Sequence, residues 1–201
     1  KIQGKETSIE VWDLSKLMEL EYGGLDSVPT LINFEDLYGE GLPALVANST
    51  ELSQKSYLCV LPAQYLSDLY HEYGQRLLQS NVRSFLEFRG LSNKGMRNTL
   101  LREPENFFTY NNGITVTASS HQTGIVGKKM VITELENMQI VNGGQTTAII
   151  YFAPKEPGGP RTSEGVLKWS DIDLSKAFVQ MKLTILDDEE EAPIMTSKIS
   201  Q

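Results

Sequence analysis

The stretch Gln139-Ile140-Val141-Asn142-Gly143-Gly144-Gln145-Thr146-Thr147-Ala148-Ile149-Ile150 carries the clearest structural signal in this sequence. It begins with apolar residues typical of a short strand and ends with an apolar run typical of a helix. The Asn-Gly-Gly between them predicts a tight turn, because asparagine and glycine tolerate the backbone angles that turns require. The free N–H groups and the dipole at the start of such a helix suit an anion such as a phosphate. We therefore predict an α/β unit with an anion site at this turn.

A second Asn-Gly turn lies upstream, in Tyr110-Asn111-Asn112-Gly113-Ile114-Thr115-Val116, and precedes a candidate parallel strand. Ligands of α/β proteins commonly bind where a strand turns into a helix. We therefore predict a ligand site made of turn backbone and amide side chains, and a purely structural pair of turns is the alternative. The residues predicted for this site are Asn111, Asn112, Gly113, Asn142, Gly143, Gly144, Gln145 and Thr146.

The charge of the chain is unevenly distributed. The net charge of −8 over 201 residues argues against a general nucleic-acid coat protein, because such binding depends on neutralising phosphates. The segment from Arg76 to Arg102 nevertheless carries +5, so the remainder carries −13. From this basic segment we add Arg83, Arg97 and Asn98 to the predicted phosphate site. Solvated helix faces, or pairing with acids elsewhere, are the alternative for these cations.

The pattern of apolar residues predicts an α/β (mixed α+β) fold with a central mixed sheet, flanking helices and a small N-terminal α/β segment. We expect the strands near Tyr57, Thr115, Ile140 and Val179 to share one sheet, because their content is apolar and β-branched. We divide the chain into residues 1–55, an N-terminal segment that we interpret as including the end of a linker from an upstream domain, and residues 56–201, a core truncated at its C-terminus. The chain starts at Lys1 and ends within a predicted helix, which suggests a fragment of a longer protein.

Smaller features of the pattern lead to further expectations. We expect a surface histidine at His71, a loop histidine at His121, buried rings at Phe107-Phe108 and an exposed, mobile loop over residues 155–165. The run Asp187-Asp188-Glu189-Glu190-Glu191 is typical of a solvated helix start rather than of a magnesium site.

No complete catalytic motif is present, so the sequence leaves enzymatic activity uncertain. It contains two histidines and one cysteine, too few for a typical zinc site and too few for a disulfide. Cys59 lies in an apolar strand and is expected to be a core residue. We predict no metal and no cofactor. Without a disulfide, an export signal or an apolar run long enough to span a membrane, the expected location is the cytoplasm.

Several short motifs, taken together in their order and spacing, resemble the abortive-infection phage-resistance (AIPR) family. The resemblance is dense from about Ser56 to the C-terminus and weaker over residues 9–48. It implies prokaryotic antiviral defence, and many members carry a nuclease-like domain ahead of this region. The matching motifs are Asn81-Val82-Arg83-Ser84-Phe85-Leu86, Asn93-Lys94-Gly95-Met96-Arg97-Asn98-Thr99-Leu100, Pro104-Glu105-Asn106-Phe107-Phe108-Thr109-Tyr110-Asn111-Asn112-Gly113-Ile114-Thr115, Gln139-Ile140-Val141-Asn142-Gly143-Gly144-Gln145-Thr146-Thr147 and Phe178-Val179-Gln180-Met181-Lys182-Leu183.

A looser similarity concerns the ligand. Val141-Asn142-Gly143-Gly144-Gln145-Thr146-Thr147 looks like the strand–Asp-Gly-Gln-His-Arg–helix motif of ParB-like nucleotide-binding domains. In this chain, Thr146-Thr147 stand where that motif has His-Arg, so the local phosphate-binding arginine is missing. Arg83 or Arg97 could supply the positive charge from elsewhere in the sequence.

Three functions remain open from the sequence. The first is a module that binds nucleic acid or a nucleotide phosphate and controls a nuclease domain in the same full-length chain, without contact with a membrane. The second is a nuclease or phosphoryl-transfer enzyme in its own right, and the third is a protein-interaction scaffold. The absence of a convincing acid cluster favours the first over the second. The basic segment and the amide-rich turns favour the first over the third.

Overall fold

A computed structural model describes residues 29–47, 55–79, 91–163, 165–187 and 192–199 of the chain. The alternating run Ser8-Ile9-Glu10-Val11-Trp12 predicts a strand, and Asp13 or Ser15 could cap a helix after it; both lie outside these ranges, as do Arg83 and Arg89. The described helices are α1 (Phe34–Tyr38), α2 (Ala63–Tyr73), α3 (Leu91–Arg102), α4 (Phe107–Tyr110), α5 (Gly144–Phe152) and α6 (Ala192–Ile199). The described strands are β1 (Leu31–Asn33), β2 (Leu42–Val46), β3 (Ser56–Pro62), β4 (Ile114–Ala118), β5 (Ser120–Val126), β6 (Lys129–Glu136), β7 (Gln139–Asn142), β8 (Arg161–Thr162), β9 (Gly165–Val166) and β10 (Phe178–Ile185).

An eight-stranded mixed sheet forms the centre of the fold, with the strand order β1-β6-β2-β3-β10-β4-β7 and with β5 also paired to β6. Strands β10 and β4 run parallel, and the other strand pairs of this sheet are antiparallel. The four strands expected to share a sheet are β3, β10, β4 and β7, and they are direct neighbours in it. The predicted mixed α+β fold is therefore confirmed.

Each central strand buries one face. In β3, Tyr57, Cys59 and Leu61 are buried, whereas Leu58 and Val60 between them are exposed. Strand β10 alternates in the same way. The buried side chains pack against helices α2 and α5, whose apolar residues belong to the same core. Pro62 suits the first turn of a helix and Gly74 breaks one, and helix α2 lies between them, directly after Pro62 and ending at Gly74. Along β3 and β10, one face of the sheet thus carries the core, and the other presents the more exposed side chains.

The sheet is strongly curled. Strands β3 and β5 are separated by β2 and β6 in the sheet order, yet the Tyr57 hydroxyl and Nε2 of His121 are 2.7 Å apart. In a flat sheet, three strand spacings would place these backbones about 14 Å apart. The curl brings the two strands close enough for these side chains to meet. The expectation of a loop histidine at His121 is wrong. His121 lies in β5, because residues 120–126 pair along the whole edge of β6.

Other local expectations need correction. Phe107 is buried, but Phe108 is 39 % exposed, because α4 presents only one of these adjacent rings to the core. The sequence also predicts two strands, over residues 130–132 and 138–141, with a turn near residues 134–137 between them, but the turn begins later, since β6 continues to Glu136. The segment expected to be a mobile loop contains the hairpin β8–β9. A Cβ added at Gly159 in this segment would lie 1.8 Å from the carbonyl oxygen of Leu167, which shows how closely the two backbones pack.

Residues 29–47 belong to the same sheet as the rest of the chain. Strand β1 pairs with β6, and β2 pairs with both β6 and β3. The described part of the N-terminal segment forms the unit β1-α1-β2, in which the short helix α1 directly follows the expected strand. The domain boundary between residues 55 and 56 stays a prediction.

Candidate functional site

The two Asn-Gly turns lie side by side at one end of the sheet. Strand β4 begins directly after the first turn, and β7 ends directly at the second. These strands pair antiparallel, with Thr115 opposite Asn142, so the start of one is beside the end of the other. The expected parallel relation would have placed the two turns at opposite ends of the strands. The antiparallel pairing is therefore what brings the predicted turn residues together.

Asn111 connects the two turns through its side chain. Its Oδ1 accepts hydrogen bonds from the Gly113 N–H at 2.7 Å and from the Thr146 hydroxyl at 3.3 Å. Its Nδ2 donates to Sδ of Met96, on α3, at 3.0 Å. Thr147, which is fully buried, donates its hydroxyl to the Gly143 carbonyl at 3.2 Å. Asn111, Thr146 and Thr147 thus use their polar groups inside the protein.

The backbone conformation of the two turns requires glycine at two positions, Gly113 and Gly143. Their φ angles are 77° and 94°, in the left-handed region that favours glycine. A Cβ at Gly113 would lie 2.1 Å from the carbonyl oxygen of Gln180, on β10. A Cβ at Gly143 would lie 2.7 Å from Cγ2 of Ile114, on β4. Both glycines therefore allow the turns to pack against neighbouring strands.

A smaller set of polar groups faces outward at the turns. Asn112 and Asn142 are exposed and Gln145 is half-buried, and none of them forms a side-chain hydrogen bond with another described residue. Gly143, the N-cap residue of α5, provides no side-chain cap, and the N–H groups in the first turn of a helix have no partner within the helix. Amide side chains and backbone donors are thus placed together beside the positive end of the α5 dipole.

In the described part of the basic segment, the predicted site residue Arg97 is engaged away from the turns. Arg97 forms a bidentate ion pair with Glu156, at 2.5 and 2.8 Å. Glu156 follows the C-terminal end of α5, whereas the turns lie at its N-terminal end, about 13 Å away along a nine-residue helix. Asn98 is exposed on α3. A role for Arg97 at the turns remains a prediction that would require the guanidinium to leave Glu156.

The pairing of strands brings another cation toward the turns. Lys182 of β10 is exposed and lies opposite Thr115, which in turn lies opposite Asn142. The side chains of cross-strand partners project from the same face of a sheet, so these three residues form a row on the exposed face. The sequence-based prediction did not include Lys182. The sequence could have indicated Lys182, because no other charged residue occurs in β3, β4, β7 or β10.

The titratable groups of the described residues do not form a metal-binding cluster. Within the described ranges, no group of three or more His, Cys, Asp or Glu residues could hold a metal ion. His71 is exposed, as predicted, and its Nδ1 is 3.1 Å from the Tyr151 hydroxyl. Cys59 is completely buried, which confirms it as a core residue, and burial raises the pKa of its thiol to about 12. Burial, followed by the charge of Lys55, lowers the pKa of His121.

The comparisons with known proteins give a family for the chain. None of the helices within the described residues has the length and apolar character needed to cross a membrane. Neither the curated proteins nor the solved structures searched contain a match. The family model described as "AIPR protein" matches residues 78–201, which is more than half of the chain and includes both turns. The chain therefore belongs to the abortive-infection phage-resistance (AIPR) family, which suggests a role in phage defence.

Proposed function

We propose that the chain binds a phosphate-bearing ligand, a nucleic acid or a nucleotide, at the paired turns, and that binding controls a nuclease domain of the full-length protein during phage defence. The observation that carries this proposal is the convergence of the two turns beside the uncapped start of α5. Free backbone donors at a helix start are a common way for proteins to bind phosphate.

The polar side chains of the turns differ in what they contact, and this difference supports the binding of a ligand. If the turns served only the fold, their amide side chains would be expected to hold the turns together. Asn111 does so through its contacts with Gly113, Thr146 and Met96. Asn112, Asn142 and Gln145 instead present amide groups to the outside, and amides both donate and accept hydrogen bonds.

The groups at the turns favour binding over chemistry. Phosphodiester cleavage commonly uses bound metal ions or charged groups placed against the phosphate. The described turn residues are instead amides, hydroxyls and glycines. A protein-interaction scaffold is the remaining alternative, and the following experiment separates it from ligand binding.

Asn142→Ala and Gln145→Ala, each made in the full-length protein, are expected to abolish phage defence while leaving the melting temperature nearly unchanged. The reason is that these side chains form no hydrogen bond with another described residue, so the fold does not depend on them. Melting temperature, phage plaquing, and binding of nucleotides and short DNA and RNA oligonucleotides are measured on the same variants.

Two controls define the outcome. Gln122→Ala removes an exposed amide from β5 and should change neither defence nor stability. Asn111→Ala should lower the melting temperature, because it removes the contacts that join the turns. If defence is lost only in proportion to melting temperature, or is lost without any change in ligand binding, the proposed ligand site is wrong.

A further inference from the structure

Lys182 is an isolated charge at the centre of the sheet. Strands β3, β4, β7 and β10 contain no other Asp, Glu, Lys or Arg. Its neighbours along β10, Met181 and Leu183, are fully buried on the core side, whereas Lys182 is exposed on the opposite face. A charged side chain is not needed for packing at this position, because its cross-strand partner Leu58 is itself apolar and exposed.

The strand register places Lys182 in the same row as the first residue of the second turn. Lys182, Thr115 and Asn142 lie opposite one another on β10, β4 and β7. Two strand spacings separate the outer members of this row by about 10 Å at the backbone. A register shift between β4 and β7 places both Val141 and Asn142 against Thr115, at the point where the chain enters the turn. A phosphate group between the Lys182 ammonium and the Asn142 amide would bridge that gap.

No described acidic residue compensates the charge of Lys182. The ion pairs of the described residues join Arg97 to Glu156 and Lys176 to Asp173, and no described carboxylate lies within salt-bridge distance of Lys182. Within the part of the chain that the structure describes, Lys182 is therefore a positive charge without an acidic partner, in a neutral row of hydroxyl and amide groups. This is the local charge that a phosphate requires and that Thr146 and Thr147 do not supply.

We infer that Lys182 is the phosphate-binding cation of the proposed site and that the ligand is a small phosphate ester of the mononucleotide class, not a long nucleic acid. The inference rests on the proposed function. Lys182 is the one cation in this row among the described residues, and a single lysine complements one phosphate group, whereas a nucleic-acid backbone is bound by several cations that each neutralise a phosphate. The rest of the ligand would lie along β10, where Gln180 and Phe178 occupy the same face about 7 and 14 Å from Lys182.

The test uses the full-length protein with adenosine, guanosine, cytidine and uridine 5′-monophosphates, inorganic phosphate and a twenty-nucleotide oligo(dT) as calorimetric probes. At least one nucleoside monophosphate should bind. K182Q should weaken that binding at least tenfold without changing the melting temperature, and Lys182→Arg should restore most of it. Lys176→Gln, which removes an exposed lysine already paired with Asp173, should leave binding unchanged.

The possible outcomes separate this inference from the proposed function. Unchanged monophosphate binding in K182Q, together with its loss in Asn142→Ala, overturns the role of Lys182 and leaves the turn site intact. Binding of oligo(dT) alone, with an affinity that falls steeply with salt, overturns the small-ligand inference while supporting nucleic-acid binding. If inorganic phosphate binds as tightly as every monophosphate, the mononucleotide class is wrong. If no probe binds the parent protein, both proposals are overturned.

Discussion

At the scale of single residues, the asparagines of the two turns differ in what their side chains contact. Asn111 is held by hydrogen bonds to the backbone of its own turn and to Thr146 of α5. Asn112 and Asn142 are exposed. An Asn-Gly sequence alone therefore does not distinguish an asparagine that supports the turn from one that is available to a ligand.

The glycines provide a residue-scale prediction about stability. Gly143→Ala should destabilise the protein by roughly 1–2 kcal/mol or more, because it forces a left-handed backbone and places a Cβ 2.7 Å from Ile114. Gly95→Ala is the matched control. Gly95 is an exposed position inside α3 where an added Cβ meets open space, so the change should stabilise by about 1 kcal/mol. Urea unfolding of both variants measures the change in unfolding free energy. A change of the same sign in both variants would contradict the structure of the turn.

At the scale of elements, the Arg97–Glu156 pair joins α3 to the segment that follows α5. The side chains are 24 % and 37 % exposed, and Nε of Arg97 is buried without a hydrogen-bond partner among the described residues. The partial burial and the bidentate geometry should make this pair stronger than an ordinary surface pair.

A double-mutant cycle with Arg97→Met and Glu156→Gln, followed by urea unfolding, should give a coupling energy of about 1 kcal/mol. The same cycle at Lys176 and Asp173, whose side chains are 65 % and 45 % exposed, should give a coupling close to zero. Similar couplings for the two pairs would show that Arg97 and Glu156 do not hold these elements together.

At the scale of the whole molecule, the curl of the sheet brings Tyr57 and His121 into contact across residues distant in the chain. Burial and Lys55 lower the pKa of His121, and Asp187 acts in the opposite direction. The unfolded chain, in which a histidine has a pKa of about 6.5, therefore binds a proton more readily than the folded chain.

The contribution of His121 to stability should consequently be fully present above pH 6.5 and should be lost as the pH drops from there toward the lowered pKa of the folded state. His121→Gln removes this contribution, so its unfolding free energy should change less between pH 7 and pH 5 than that of the parent, as measured by urea unfolding at each pH. Identical pH profiles would mean that His121 titrates alike in both states.

The sequence by itself determined those features that depend on neighbouring residues. The strand before Asn142, the helix after Gly143, the helix between Pro62 and Gly74 and the mixed α+β fold all follow from local apolar patterns and turn residues. The ordered motifs also sufficed for the family. Only the tertiary structure decided that β4 and β7 are antiparallel, that Glu156 holds Arg97 and that Lys182 lies in a row with Asn142. Strand register and ion-pair partners depend on packing between residues far apart in the chain, and the pattern within one segment carries no information about which distant segment it will meet.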